Sequence, residues 1–313
     1  MKWKLAVAAA LAAVLIVATR SCLPPPTPNP PGTFSFAVLG DAPYYPWEEP
    51  RFRLVLRHID AHDVRFVVHV GDIFWHPCTD ENYAEVLRRF NGMRAPVIYT
   101  PGDNEWTDCW ENDSGAFAPR ERLQRIRQMF FANPHRSLGR NTLLLASEGP
   151  EFVENARWRS GNAIFATVNL PGSRNAMKPF PGRTAADDAE VRRRTDAAAA
   201  WARATFAEAR ATNASAVVFA FQANPGFERP AYRAYFEPFI ATVEEEAERF
   251  GKPVLLAHGD GHEYIVDHPL RLKNVTRMQV PGSPRVGWVR VFVTPDGRFT
   301  FSQTVLPFWW KVW

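Results

Sequence analysis

Five short apolar runs in this chain each break off into an acidic or amide cluster, and this recurrence constrains the fold more than any other feature. Phe34 to Leu39 (FSFAVL) leads into Gly40-Asp41, Arg65 to Val70 into Gly71-Asp72, and Ala95 to Tyr99 into Gly102-Asp103-Asn104-Glu105. Later, Ala216 to Phe221 runs into Gln222-Ala223-Asn224, and Pro253 to Ala257 into His258-Gly259-Asp260-Gly261-His262. The runs are short, β-branched and bounded by Gly or Pro, which predicts strands. A single Gly-Asp after a strand is an ordinary turn. Five in succession are not, because in open α/β folds the loops after the carboxyl ends of strands converge on one edge.

Helical spacing fills the intervals, over 51–61, 81–93, 118–131, 185–210 and 229–250, with a further strand near 163–170. From Arg277 to Gln303 the pattern changes to strand-turn-strand, with Pro295-Asp296-Gly297 as the hairpin turn. No internal repeat is present. At 46% hydrophobic and 22% charged residues, the part after the N-terminal segment fits one large α/β domain. The net charge of +4 is small, and the only basic run, Arg192 to Arg194, reads as a solvated helix face. Neither nucleic acid nor anionic lipid is therefore expected as a partner.

The opening MKWK and the apolar LAVAAALAAVLIVA after it read as the n- and h-regions of a signal peptide, 1–21. A Pro-rich stretch, 22–32 (LPPPTPNPPG from Leu23), then reads as an extended spacer before a domain over 33–313. Cys22 stands where a lipoprotein signal places its acylated cysteine, although Thr19 and Arg20 depart from the usual residues there. The expectation is an exported protein, either periplasmic or attached to the membrane through a lipid on Cys22. Cys78 and Cys109 remain as an even pair, expected to form a disulfide in an oxidising compartment; two free thiols are the alternative. Closing that loop would stabilise the fold by roughly 3 kcal/mol in the chain-entropy model. Nothing in the sequence fixes an oligomeric state.

Carboxylates gathered on one edge repel one another and lose hydration, so they call for a cation. Oxygen donors with one imidazole suit Mn²⁺, Mg²⁺ or Ca²⁺, and a pair of such ions is a clamp for in-line phosphoryl displacement. Asp41 to Asp72 and Asp72 to Asp103 both span 31 residues, room for one helix and one strand each time.

With those motifs in that order, the chain resembles the calcineurin-like metallophosphoesterases. Their pattern is Asp-x-His, Gly-Asp, Gly-Asn-His-Asp/Glu, an isolated His, then Gly-His-x-His. Here Asp41-Ala42-Pro43, Gly71-Asp72, Gly102-Asp103-Asn104-Glu105, Gln222 or Asn224, and Gly259-Asp260-Gly261-His262 stand at the corresponding places. The resemblance implies a four-layer α/β/β/α sandwich with the metal site at the carboxyl ends of the strands. It implies two divalent ions, Mn or Mg favoured, with Fe, Zn and Ca also compatible. By position, Asp41 and His262 would hold the first ion, Asp72 would bridge, and Asp103, Gln222 and Asp260 would hold the second. Asn104 would stand in for the histidine beside the departing group, and Glu105 would steer Asp103 or a ligand.

The departures are specific: Pro43 cannot ligate, Asn104 cannot deliver a proton as histidine does, and Gln222 and Asp260 replace histidine ligands. The stretches GDNEWTDCW, RLQRIRQMFF and HGDGHEY look like an exported branch that carries these substitutions together. Asn175 and Arg174, in the loop after 163–170, are candidates for contacting the substrate, Arg174 by clamping phosphate. His69 and His258 read as structural. Trp75, Trp106 and Trp110 crowd the motif loops, either as core or as a grip on an apolar leaving group.

The function implied is hydrolysis of a small-molecule phosphomonoester or phosphodiester by metal-activated hydroxide. The alternative is a non-catalytic metal- or ligand-binding protein on a degenerate phosphoesterase fold. Loss of the family histidines supports the alternative, and retention of Asp41, Asp72, Asp103 and His262 supports the enzyme.

Overall fold

The structure is a computed structural model that describes residues 23–75 and 77–306. The expected signal peptide, the lipidation candidate Cys22 and the C-terminal Trp309, Trp310 and Trp313 lie outside the described residues.

The apolar runs are strands β1 (Phe34–Leu39), β2 (Val67–His69), β3 (Val97–Tyr99), β6 (Ala163–Thr167), β7 (Ala216–Ala220) and β8 (Val254–His258). Between them lie β4 (Ala146–Glu148) and β5 (Phe152–Ser160), and after them β9 (Ile265–Asp267), β10 (Val275–Gln279), β11 (Gly287–Val293) and β12 (Phe299–Val305). Two mixed sheets result, in the orders β12-β11-β1-β2-β3 and β4-β5-β6-β7-β8-β10-β9. Helices α1 (Glu49–Ala61), α2 (Asp80–Gly92) and α3 (Pro119–Phe130) accompany the first sheet; α4 (Ala185–Ala211) and α5 (Glu237–Phe250) accompany the second.

Strand alternation explains the layering, because both faces of the central strands are apolar. Phe36 and Val38 of β1 and Val218 of β7 pack together between the sheets. Ala37 and Leu39 turn instead to a core shared with α1, α2 and α3. Val217 and Phe219 turn to a third core with α4 and α5. The result is the α/β/β/α sandwich that the sequence implied. Helix ends follow local chemistry: Thr79 accepts the Asn82 N–H at the start of α2 (3.3 Å), and α5 stops at Gly251 in the left-handed region (φ 67°).

Two features were not legible in the sequence. The Pro-rich stretch forms no helix or strand and is anchored to the domain over the described residues 23–32. His58 Nε2 donates to the Pro24 carbonyl (2.8 Å), Arg290 donates to the Thr27 carbonyl (2.7 Å) and to Asn29 Oδ1 (3.0 Å), and Leu23 packs on the α1–α3 core. Backbone carbonyls without intrachain partners, which Pro-rich chain has in excess, are acceptors that fold donors capture. The second is β5, a nine-residue strand that the sequence concealed. Its Glu154 and Asn155 break the apolar alternation, yet both are buried and satisfied, Glu154 by Arg127 (2.8 Å) and Asn155 by the Asn169 N–H (2.7 Å).

Candidate metal centre

The polar clusters do meet at one edge. Asp41 follows β1, Asp72 follows β2, Asp103 to Glu105 follow β3, Gln222 follows β7, and Asp260 and His262 follow β8. One ligand atom each from Asp41, Asp72 and His262 lie within 4.8 Å of one another. Asp41 and Asp72 are buried. Asp41 Oδ1 accepts the Asp260 N–H (2.8 Å), whereas Asp41 Oδ2 is buried with no partner among the described residues. Such an orphaned carboxylate oxygen is costly unless a cation takes it. His262 Nδ1 donates to the Ser283 carbonyl (2.8 Å), which leaves Nε2 as the free lone pair, the usual way a ligating histidine is oriented.

The loops that hold these residues are strained. Asp41 (φ 52°), Asp72 (φ 54°), Asp260 (φ 66°) and His262 (φ 58°) all adopt the left-handed conformation. So do Ser173, Arg174, Asn175 and Ala176 in the turn Gly172–Ala176. Among the described residues, only Ala116 and Asn213 are non-glycine positions with positive φ outside this region. Each costs on the order of 1–2 kcal/mol, and such strain collects where function over-determines the backbone. Close approach also needs glycine: a Cβ on Gly102 would lie 2.0 Å from Asp72 Oδ1, and one on Gly259 2.3 Å from Asp41 Oδ2.

Hydrogen bonds fix the rest of the edge. Tyr44 donates to Asp72 Oδ2 (2.6 Å), and its ring meets that of His262 edge-on at 5.2 Å. Glu105 is fully buried and accepts from Tyr99 (2.7 Å), the Gly102 N–H (2.7 Å) and the Asp72 N–H (3.1 Å). It therefore staples the loops after β2 and β3 together and acts through Asp72. Asn104 N–H donates to Asp72 Oδ1 (3.3 Å). Asp103 Oδ2 accepts the Ser173 hydroxyl (2.9 Å), Asp260 Oδ2 accepts the Asn224 N–H (2.8 Å), and Gln222 Oε1 accepts the Gly172 N–H (2.5 Å). Cys78 and Cys109 form a disulfide, Cα atoms 5.8 Å apart, that ties the segment after Asp72 to the one after Asp103.

The electrostatics follow from burial with little counter-charge, Arg229 acting on Asp260 alone. Among the described residues no Lys or Arg forms a salt bridge with Asp41, Asp72, Asp103, Glu105 or Asp260. Burial, reinforced by the neighbouring carboxylates, pushes Asp41 and Asp72 well above the usual carboxylate range. Burial pushes Asp103 up to about 6, Asp260 to about 6 and Glu105 to about 7. Buried acids held this way accept a divalent cation in place of protons. His69, in β2 without a polar partner, is pushed down to about 3 by burial. His258, stacked on Phe221, is pushed down to about 4. Both stay neutral, as structural histidines do.

Of the two residues expected to contact substrate, Asn175 offers it no free polar atom, and Arg174 makes no ion pair with the site carboxylates among the described residues. Asn175 is fully buried, and its amide is consumed by Arg194, Thr195 (3.0 Å) and the Tyr235 carbonyl (3.0 Å). The amide holds the left-handed turn against α4 and leaves no polar atom for a substrate. Arg174 is exposed, with its guanidinium 6.0 Å over the Tyr235 ring. Three further residues belong here instead. These are Tyr44, the Ser173 hydroxyl, whose one hydrogen is shared between Asp103 and Asp108 (2.7 Å), and Asp108, which also accepts from Lys178 (3.2 Å). Two of them carried a signal: Tyr44 stands right after Asp41-Ala42-Pro43, and Asp108 lies within GDNEWTDCW.

The fold and the strand-end carboxylate–histidine centre define a metallophosphoesterase. The family model of calcineurin-like phosphoesterases matches residues 34–191, about half of the chain, and the chain belongs to that family. Among solved structures it is similar to the 5'-nucleotidase from Candida albicans, at 10% identity and a TM-score of 0.48, covering 90% of this chain and 53% of that one. It is also similar to a protein serine/threonine phosphatase from Saccharomyces cerevisiae, at 10% identity and a TM-score of 0.34, covering 86% of this chain and 79% of that one. The chain thus spans about half the length of the nucleotidase. No curated protein matches it.

Proposed function

We propose that this protein is a metal-dependent phosphoester hydrolase acting on a small-molecule phosphomonoester or phosphodiester. The observation that carries the reading is the convergence of Asp41, Asp72 and His262, with Asp41 Oδ2 buried and unpartnered, in a chain of this family. Asp41, Asp72 and His262 would hold a divalent cation, which would polarise a water and supply positive charge for the phosphoryl oxygens. Oxygen donors with a single imidazole favour Mn²⁺ or Mg²⁺ over Fe, Zn or Ca.

The chain's own residues do the positioning. Ser283 sets the His262 tautomer, Tyr44 fixes one oxygen of Asp72, and Glu105 locks the Asp72 backbone. Asn104 lies beside Asp72 and can offer hydrogen bonds to the departing group but no proton. Trp75, 46% exposed and 5.8 Å from the Tyr44 ring, supports an ester with an apolar or planar group. Trp106 is buried core. Export of the protein is part of the same proposal, supported by the composition of residues 1–21 and by the Cys78–Cys109 disulfide.

The test is metal analysis of the purified protein, paired with a screen of aryl phosphomonoesters and diesters in Mn²⁺, Mg²⁺, Zn²⁺ and Fe²⁺. Asp72→Asn is expected to lower bound metal and rate by about 100-fold or more. No hydrolysis with any of the four cations would overturn the reading and leave a ligand-binding protein in its place.

A further inference from the structure

The position that the family gives to a second cation is occupied differently in this chain. Gln222 is fully buried, and its side chain packs where loops cross, 2.8 Å from where a Cβ on Gly71 or Gly102 would stand. A Cβ on that same Gly102 would touch Asp72 Oδ1, so Gln222 lies directly beside Asp72. Its orientation is fixed by chemistry, because the end facing the Gly172 N–H at 2.5 Å must be the carbonyl oxygen. The other end, Nε2, is then a buried N–H donor with no partner among the described residues.

An amide nitrogen carries no lone pair for a hard cation and can only donate. Asn104 presents a second buried, unpartnered amide nitrogen, Nδ2, from a residue whose backbone N–H also reaches Asp72. The carboxylates that would complete a second cation site stand apart, Asp103 held toward Ser173 and Asp260 toward Asn224. Neither joins the three ligand atoms that converge. Two buried N–H donors without acceptors beside a cation-binding trio are complementary to an oxyanion seated on that cation.

We propose that the centre holds one divalent cation, on Asp41, Asp72 and His262, and that Gln222 Nε2 with Asn104 Nδ2 forms an amide cradle for the non-bridging oxygens of a phosphoryl group. The inference rests on the phosphoester reading of the same site. It is tested on the resting protein with Mn²⁺ and inorganic phosphate as probes, so it is judged separately from turnover.

Wild-type protein saturated with Mn²⁺ should retain one equivalent. Gln222→Glu keeps the acceptor for Gly172 and removes the donor; Gln222→Met removes both without adding charge. Gln222→Met should still bind one Mn²⁺ while phosphate binding, measured by calorimetry, weakens at least about 10-fold; Gln222→Glu, which turns a carboxylate oxygen to the centre, should admit a second Mn²⁺. Two equivalents of Mn²⁺ in the wild type would overturn the proposal, as would unchanged phosphate affinity in a folded Gln222→Met protein. Normal cradle behaviour with no ester hydrolysed would leave this inference standing and remove the hydrolase reading.

Discussion

Tyr44 donates its phenolic hydrogen to Asp72 Oδ2 across 2.6 Å, joining the loop after β1 to the loop after β2 at the metal centre. Burial raises the Asp72 carboxyl, and this hydrogen bond to its ionised form pulls it partly back. Tyr44→Phe removes the restraint. Mn²⁺ affinity is expected to fall about 10- to 100-fold, and the pH midpoint of metal binding to move upward, because Asp72 must lose its proton first. A midpoint that stays still or moves down in a pH-resolved titration would show that Tyr44 does not tune Asp72.

The same burial makes the metal-free protein sensitive to alkali. Asp103 and Asp260 at about 6 and Glu105 at about 7 keep their protons in the folded state, while the unfolded chain has lost them near pH 4. The folded state then binds more protons, so metal-free stability falls as pH rises from about 4 through 7. Mn²⁺ should raise the melting temperature over that of chelator-treated protein more at pH 7.5 than at pH 5. Taking the difference between metal-loaded and metal-free protein cancels the opposite contribution of His58, His62, His69 and His258. Their burial lowers their pKa and costs stability as pH drops below about 6.5. A Mn²⁺ effect that is larger at pH 5 would contradict the assignment.

Asn104 predicts a particular kinetic signature. An amide gives no proton to a departing alkoxide, whereas a histidine titrating near neutrality does. Log rate plotted against leaving-group pKa should therefore slope steeply downward, with aryl esters cleaved far faster than alkyl ones. Asn104→His should flatten the plot with little change in bound metal. A flat wild-type plot, with chemistry rate-limiting, would place an acid in the site that the structure does not provide.

The left-handed turn gives a stability test that also judges Arg174. At φ 60° and exposed to solvent, Arg174 is strained by its own Cβ, so Arg174→Gly should stabilise the fold by roughly 1 kcal/mol in denaturant titration. Rates should hold within about 2-fold, since the guanidinium lies over Tyr235 and contributes nothing to the cation trio; a loss of one bidentate phosphate contact would instead cost 10-fold or more.

The sequence by itself determined the strands and the acids at their ends. Short, near-continuous apolar runs such as FSFAVL, bounded by Gly, fit a strand buried on both faces, and Gly-Asp after each run fixes where Asp41, Asp72 and Asp103 emerge. That information is local, so it survives without tertiary context. The disulfide partners were legible for the same reason, there being only two cysteines beyond Cys22.

What tertiary structure decided is what depends on the far side of a contact. β5 pairs as a strand only because Arg127 and Asn169 neutralise the polar residues that hide it. Ser173 to Ala176 turn left-handed without a glycine among them, a conformation no propensity predicts and only surrounding packing enforces. Asn175 left the site because Arg194, 19 residues on, claimed its oxygen. Tyr44 entered it because Asp72, 28 residues away, needed a donor. Gln222 reads in sequence as a replaced ligand, an amide with an oxygen at one end and a nitrogen at the other. Which end faces the centre was settled by the Gly172 N–H, 50 residues earlier in the chain, because a hydrogen-bond donor can be satisfied only by the oxygen.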